Sequence, residues 1–249
     1  MVLINFKKII FVVALAISSS MTLANNDVSI VETQDLAKDN YPIKISKQEW
    51  KALKDHDAML SAIKIDDESL AKISTKDLLE VVLDYPLFDD VLAYNSVQAG
   101  FDSVVKNYKG LKELLSRSDI SKEVLKKYKK IEVNLKKTSL SYDDQVLASN
   151  KIRRLEWILS QDVIVDSLSG RDQKTLAKLA TENFRSKELD QELYGAWGKQ
   201  ASALLLGKTL LRTNKDNLST STQDILQSRD GDPLGVMNEL VNISEKLVK

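Results

Sequence analysis

The sequence predicts an all-α protein, an irregular multi-helix bundle of short antiparallel helices, and three observations carry that expectation. Apolar residues recur at three- and four-residue intervals along most of the chain. Serine or aspartate stands just before most of these runs, where its side chain can accept from the free N–H groups of a first helical turn. The β-branched runs 28–31 and 163–165 are short and isolated, with no hairpin partner.

The elements follow in order. Ser46 can cap a helix carrying Trp50 and Leu53, and Asp55 one carrying Met59, Leu60 and Ile63. Asp66 precedes Leu70 and Ile73, and Ser74 precedes Leu78, Leu79, Val82 and Leu83. Pro86 has no N–H and pushes Tyr85 out of the α region, so one helix ends near Asp84 and another begins at Pro86, with Phe88, Val91 and Leu92 on one face. Asn95 or Ser96 opens the clearest helix, where Val97, Phe101, Val104, Val105 and Tyr108 form one stripe up to Gly110. A short segment holds Leu111, Leu114 and Leu115. Ser121 introduces Val124, Leu125, Tyr128 and Ile131, and Ser141 introduces Leu147, Ile152, Leu155, Ile158 and Leu159. Ser169 caps a run from about 171 to 193, and a further run covers about 196 to 211. Val236, Leu240, Ile243 and Leu247 make an amphipathic terminal helix that either docks on its own domain, the favoured reading, or meets a partner.

Residues 1–24 read as a signal peptide. Lys7 and Lys8 precede the apolar run Ile9 to Ile17, which is too short to span a bilayer, and Thr22-Leu23-Ala24 supplies the small residues of a cleavage site. The expected location is therefore extracytoplasmic, secreted or periplasmic. Residues 25–45 read as a mobile N-terminal arm, 46–211 as the helical domain, 212–233 as a polar linker or loop, and 234–249 as the C-terminal helix.

Two clusters qualify as candidate surfaces. "LDYPLFDDVLAY", residues 83–94, gathers large apolar side chains, and its corner reads as core packing, with Tyr85, Phe88 and Tyr94 as a possible groove. The second is electrostatic. From Asp55 to Asp102 there are 11 acids and 3 lysines, and from Lys106 to Lys137 there are 11 basic residues and 4 acids. Lys126, Lys127, Lys129 and Lys130 are expected off the apolar stripe of their helix, on a face suited to an anionic cell-surface polymer or to a protein. The sequence gives no specific role to Trp50, Trp157 or Trp197, and core packing is the default for all three.

The order Glu49-Trp50-Lys51, His56-Asp57-Ala58-Met59, Leu83-Asp84-Tyr85-Pro86-Leu87, Ala93-Tyr94-Asn95-Ser96 and Gly100-Phe101 resembles a domain that recurs in uncharacterised exported proteins of bacteria. The resemblance covers about 49–170 and is most specific across 73–119. It implies an all-helical extracytoplasmic domain and brings no catalytic residues. Some proteins of that kind place the domain before a cysteine–histidine amidase-like module, an activity not implied for a chain without cysteine.

Composition excludes much chemistry. There is no cysteine and one histidine, which removes thiol nucleophiles, CxxC redox chemistry, cysteine zinc sites and any His-pair metal site within the chain. No metal or cofactor is expected. The chain carries 36 basic and 36 acidic residues and lacks interleaved basic and aromatic residues, so nucleic acid is not the expected partner. His56 lies between Asp55 and Asp57, but no GxSxG elbow supplies a nucleophile, and it reads as a surface or capping histidine. Asp66-Asp67-Glu68 and Asp89-Asp90 are adjacent in sequence and so do not face each other on a helix; capping explains them. Arg229-Asp230-Gly231-Asp232 lacks the remaining ligands of a calcium loop and reads as a turn. The expected function is a non-catalytic exported module that binds a protein or an anionic envelope component. The alternative is a carboxylate-based hydrolase of envelope glycan or peptide, which requires two acids facing one cleft, one of them with a raised pKa.

Overall fold

The computed structural model describes residues 33–228 and 230–247, with the backbone alone at Leu247. The expected signal peptide and residues 25–32 lie outside the described residues. Within them every regular element is a helix and none is a strand, so the all-α expectation holds.

Three short helices come first: α1 (Lys47–Ala52), α2 (His56–Ala62) and α3 (Asp67–Lys72). Ser46, Asp55 and Asp66 accept from the N–H groups of Glu49, Ala58 and Ser69, and Ser46 forms a reciprocal capping box with Glu49. Next is α4 (Thr75–Leu83), capped by Ser74, and then a 3-10 helix at Phe88–Ala93 rather than the expected α-helix at Pro86. α5 (Val97–Asn107) is capped by Ser96. It crosses that 3-10 helix so closely that a Cβ on Gly100 would lie 2.1 Å from the Val91 carbonyl oxygen.

α6 (Lys109–Ser116) runs through Gly110 instead of stopping there, and α7 (Ile120–Tyr128) begins one residue before the expected cap. α8 (Tyr142–Leu159) is capped by Ser141 and carries Ile152, Leu155, Trp157 and Ile158 fully buried, while Leu147, expected inside, is exposed. After the short α9 (Asp162–Val165) come the two longest helices, α10 (Gly170–Glu188) and α11 (Gln191–Thr213). They fold back on one another, and α8 packs on α11, so these three form the centre of the bundle. Inside α11, Gly195 takes φ +55°, ψ −162°, a backbone state close to glycine-only, and divides the helix near the boundary expected at residue 196.

Both segments read as irregular carry structure. Leu36 and Tyr41 are core residues, the Tyr41 hydroxyl donates to the Ile63 carbonyl (2.6 Å), and the Asn40 N–H donates to Asp84 (2.6 Å). The described part of the expected mobile arm, 33–45, is therefore packed. The expected polar linker contains α12 (Thr220–Gln227), capped by Ser219 and anchored by buried Leu218 and Leu226. α13 (Met237–Leu247) follows and packs on α10 and α11 through Met237, Leu240 and Ile243, the docking expected for it.

Candidate functional site

Part of the segregated charge of the sequence is paired within the fold. Lys109 pairs with Asp67 (2.7 Å), Lys127 with Glu80 (2.8 Å) and Lys129 with Asp172 (3.3 Å). Lys127 is buried, a correction to the expected basic face. It stands three residues after Val124 and four before Ile131, beside the apolar stripe and not opposite it. Lys126 is exposed and lies 3.8 Å from Glu123, and Lys130 is half-buried. The four lysines do not form one solvated patch.

The aromatic corner divides as well. Tyr85 and Phe88 are buried, which corrects Phe88 as a groove residue. Phe88 packs edge-on to Phe101 and stacks near Trp157, and Tyr85 stacks flat on Tyr108 with centroids 3.8 Å apart. Asp89 does not act as the expected cap. Arg153 (3.0 Å) and Arg154 (3.1 Å) clamp it from α8, and Arg154 also donates to the Leu83 carbonyl. Burial works against the Asp89 carboxylate, but the two guanidiniums outweigh it and hold its pKa below the usual range.

Tyr94 is 45% exposed and lies at a small cleft of about 250 Å³ shared with Tyr85, His56, Asp90 and Ser103. His56 Nε2 lies 2.7 Å from Asp90, and the Tyr94 hydroxyl 2.6 Å from the Ser103 hydroxyl. The histidine thus meets a carboxylate, while the serine meets a phenol. This arrangement orients side chains without placing a base on a nucleophile.

A larger concavity lies elsewhere. A groove of about 680 Å³ runs between the first turn of α5, α9, the outer face of α11 and the 228–233 turn after α12. Two residues after the Gly195 kink, Trp197 stands at this groove 44% exposed, and Val163, 54% exposed, also lines it. Leu204, Val105 and Leu115 form its partly buried apolar lining.

Around that floor are polar groups: Asp102, Asp162, Asp230, Asp232, Gln98, Gln161, Gln200 and Lys208. Gln98 donates to Asp102 (2.8 Å) and to Gln161 (3.1 Å). Asp162 receives Arg212 (2.7 Å) and Lys208 (3.4 Å). Asp232 accepts from the Leu234 N–H (3.0 Å) and Gln200 Nε2 (3.3 Å), and the buried Gln200 Oε1 has no hydrogen-bond partner. Asp230 sits in a turn, as expected, with the Gly231 N–H donating to the Ser228 carbonyl (3.5 Å), and a Cβ on Gly231 would lie 1.9 Å from the Ile225 carbonyl oxygen.

Behind the groove, the inner face of α11 meets a buried ion pair. Glu156 and Lys187 are both wholly shielded from solvent and bonded to each other. Lys187 Nζ also donates to the Gly198 carbonyl and the Ser202 hydroxyl (both 3.0 Å), and the Tyr128 and Ser202 hydroxyls donate to Glu156 (both 2.8 Å). Burial lowers the Lys187 pKa against the opposing pull of Glu156. The network fastens the helix that presents Trp197, and its burial closes it to substrate.

Among the described residues no cluster of three or more histidine, cysteine or acidic side chains could hold a metal ion, and no helix is long and apolar enough to cross a membrane. Sequence reasoning missed the groove. Core packing is the default for Trp197, and the remaining lining comes from distant segments with no shared period. Comparison with known protein families, with curated proteins and with solved structures gave no match.

Proposed function

We propose that the chain is an exported, non-catalytic helical module that holds a segment of another protein, and that the Trp197 groove is the surface that does so. The observation carrying this reading is that Trp197 and Val163, both about half exposed, line one groove of about 680 Å³. A tryptophan left in water at a concave site forgoes the burial that aromatic side chains usually obtain, and it offers a rigid anchor to a partner. The apolar length of residues 9–17, the small-residue end of that segment and the resemblance to exported helical domains support the extracytoplasmic location. Groove and kink together favour this surface over the lysines at 126–130, whose charges are partly spent on Glu80 and Asp172.

The hydrolase reading draws on one specific observation, four carboxylates lining one groove. It requires an acid kept protonated near neutrality. Two of the four are already engaged in hydrogen bonds, Asp102 with Gln98 and Asp232 with the Leu234 N–H and Gln200 Nε2. Asp162 is also held by two cations.

Selection of a random peptide library on the purified exported protein tests the proposal. Peptides should be enriched that bind the parent and lose about tenfold in affinity against Trp197→Ala. Absence of enrichment, or binding indifferent to Trp197→Ala, refutes the groove as the binding surface.

A further inference from the structure

The groove has a chemical preference, and this inference rests on its being a binding surface. Its described lining carries four carboxylates against a single lysine. That lysine, Lys208, is directed to Asp162, where Arg212 also arrives. Asp230 and Asp232 stand exposed on the turn at the rim, facing the same groove as Trp197. The polar groups between rim and floor are rich in acceptors, and Gln200 Oε1 is an acceptor shut away from water with no donor.

An anionic segment would meet like charge at this rim, and a purely apolar one would leave the carboxylates to be desolvated without compensation. We propose that the occupant is a cationic peptide segment of a partner protein, with an arginine side chain laid over Trp197 and reaching the Asp230–Asp232 rim, beside an apolar residue seated toward Leu204 and Val105. Arginine suits the site better than lysine. Its planar guanidinium stacks on an indole face and at the same time presents several N–H donors to carboxylate and amide oxygens. The α11 wall is fastened from behind by Lys187 and Glu156, so the groove is present before the peptide arrives.

The test measures binding of capped eight-residue peptides to the exported protein by tryptophan fluorescence and calorimetry. One peptide carries two arginines flanking a leucine. Matched peptides replace the arginines by citrulline or by glutamate, and muramyl-glycan fragments form a separate arm. The arginine peptide should bind at least tenfold tighter than the citrulline peptide, and the glutamate peptide should show no binding. Affinity should fall several-fold between low and high salt. Asp230→Asn with Asp232→Asn should remove most of the arginine preference, while Asn at 232 keeps the capping bond to Leu234 and so keeps the turn. Equal binding of the arginine and citrulline peptides, both sensitive to Trp197→Ala, overturns the cationic preference and leaves the groove reading standing. Binding of the glycan fragments in place of peptides overturns both, as does arginine-peptide binding unaffected by Trp197→Ala.

Discussion

Replacing Lys187 by methionine tests whether the buried pair fastens the bundle. Glu156 on α8 and Lys187 on α10 have no solvent exposure. All three ammonium hydrogens of Lys187 are used, on Glu156, Gly198 and Ser202. Methionine fills a similar volume, so the change removes a charge without opening a large cavity. It leaves the Glu156 carboxylate with two neutral donors, Tyr128 and Ser202, in a site that water does not reach. Breaking one side of a buried pair costs about 3–5 kcal/mol, whereas removing both charges together is often close to neutral.

With a urea slope of about 3 kcal/mol per M, Lys187→Met should lower the unfolding midpoint by about 1 M or more. Glu156→Gln added to Lys187→Met should restore at least about 2 kcal/mol, a coupling energy expected only of groups that touch. The single variant should also recover as the pH falls from 7 to 5. An unpaired buried carboxyl has its folded pKa raised, so its stability is regained below that pKa. Urea unfolding followed by circular dichroism provides the measurement. A loss under about 1 kcal/mol for Lys187→Met, or no rescue in the double variant, would refute the argument.

Two further outcomes are expected. Burial raises the pKa of Tyr41 to about 12 and also raises those of Tyr85, Tyr108, Tyr128 and Tyr194. Stability carried by raised groups is present below the unfolded tyrosine pKa near 10 and is lost above it, at up to about 1.4 kcal/mol per pH unit for each. Lys151 and Lys187, lowered by burial, pull the other way only until the unfolded lysine pKa near 10.5. The protein should therefore unfold cooperatively above pH 10.5, with 295 nm absorbance and helicity changing together; phenolate absorbance from these tyrosines ahead of the loss of helix would contradict it. Gly100→Ala should destabilise by about 1–3 kcal/mol by driving a methyl group into the Val91 carbonyl. Gly170→Ala, with open space at its Cβ position on the first turn of α10, should be neutral or slightly stabilising by the same urea assay, and equal losses at the two sites would be wrong.

How much of this was legible depends on the range over which each choice is made. An N-cap is settled within three residues, so Ser46, Asp55, Asp66, Ser74, Ser96, Ser141 and Ser169 could each be read one at a time. Ser219 obeyed the same rule inside a segment whose polar composition concealed it, because α12 buries little more than Leu226 and Thr222. The position of Lys127 was also legible, since helical angle places it at the edge of the Val124–Ile131 stripe, where a lysine must find a partner. Which partner was not legible: Glu80 lies in another helix, and no local pattern announces a pair separated by a bundle packing.

The groove belongs wholly to that second kind of information. Gln98, Asp162, Trp197 and Asp232 each sit in a stretch with an adequate local explanation as cap, turn or core. Only tertiary packing brings them to one side of the molecule: α11 meets α9 and the 3-10 turn at Pro233–Val236, and Gln98 of α5 bonds to Gln161. Yet one residue in its lining, Gly231, and one two residues before Trp197, Gly195, carry a local demand that a cap or a core position does not satisfy. Gly195 takes a backbone state closed to other residues, and Gly231 admits a carbonyl where any side chain would stand. One aims the exposed tryptophan and the other holds two aspartates at the rim. A glycine that is required by geometry, in a chain with only 8 of them, therefore marks where the backbone departs from economical helix packing. At both of these positions, that departure shapes the same concave surface.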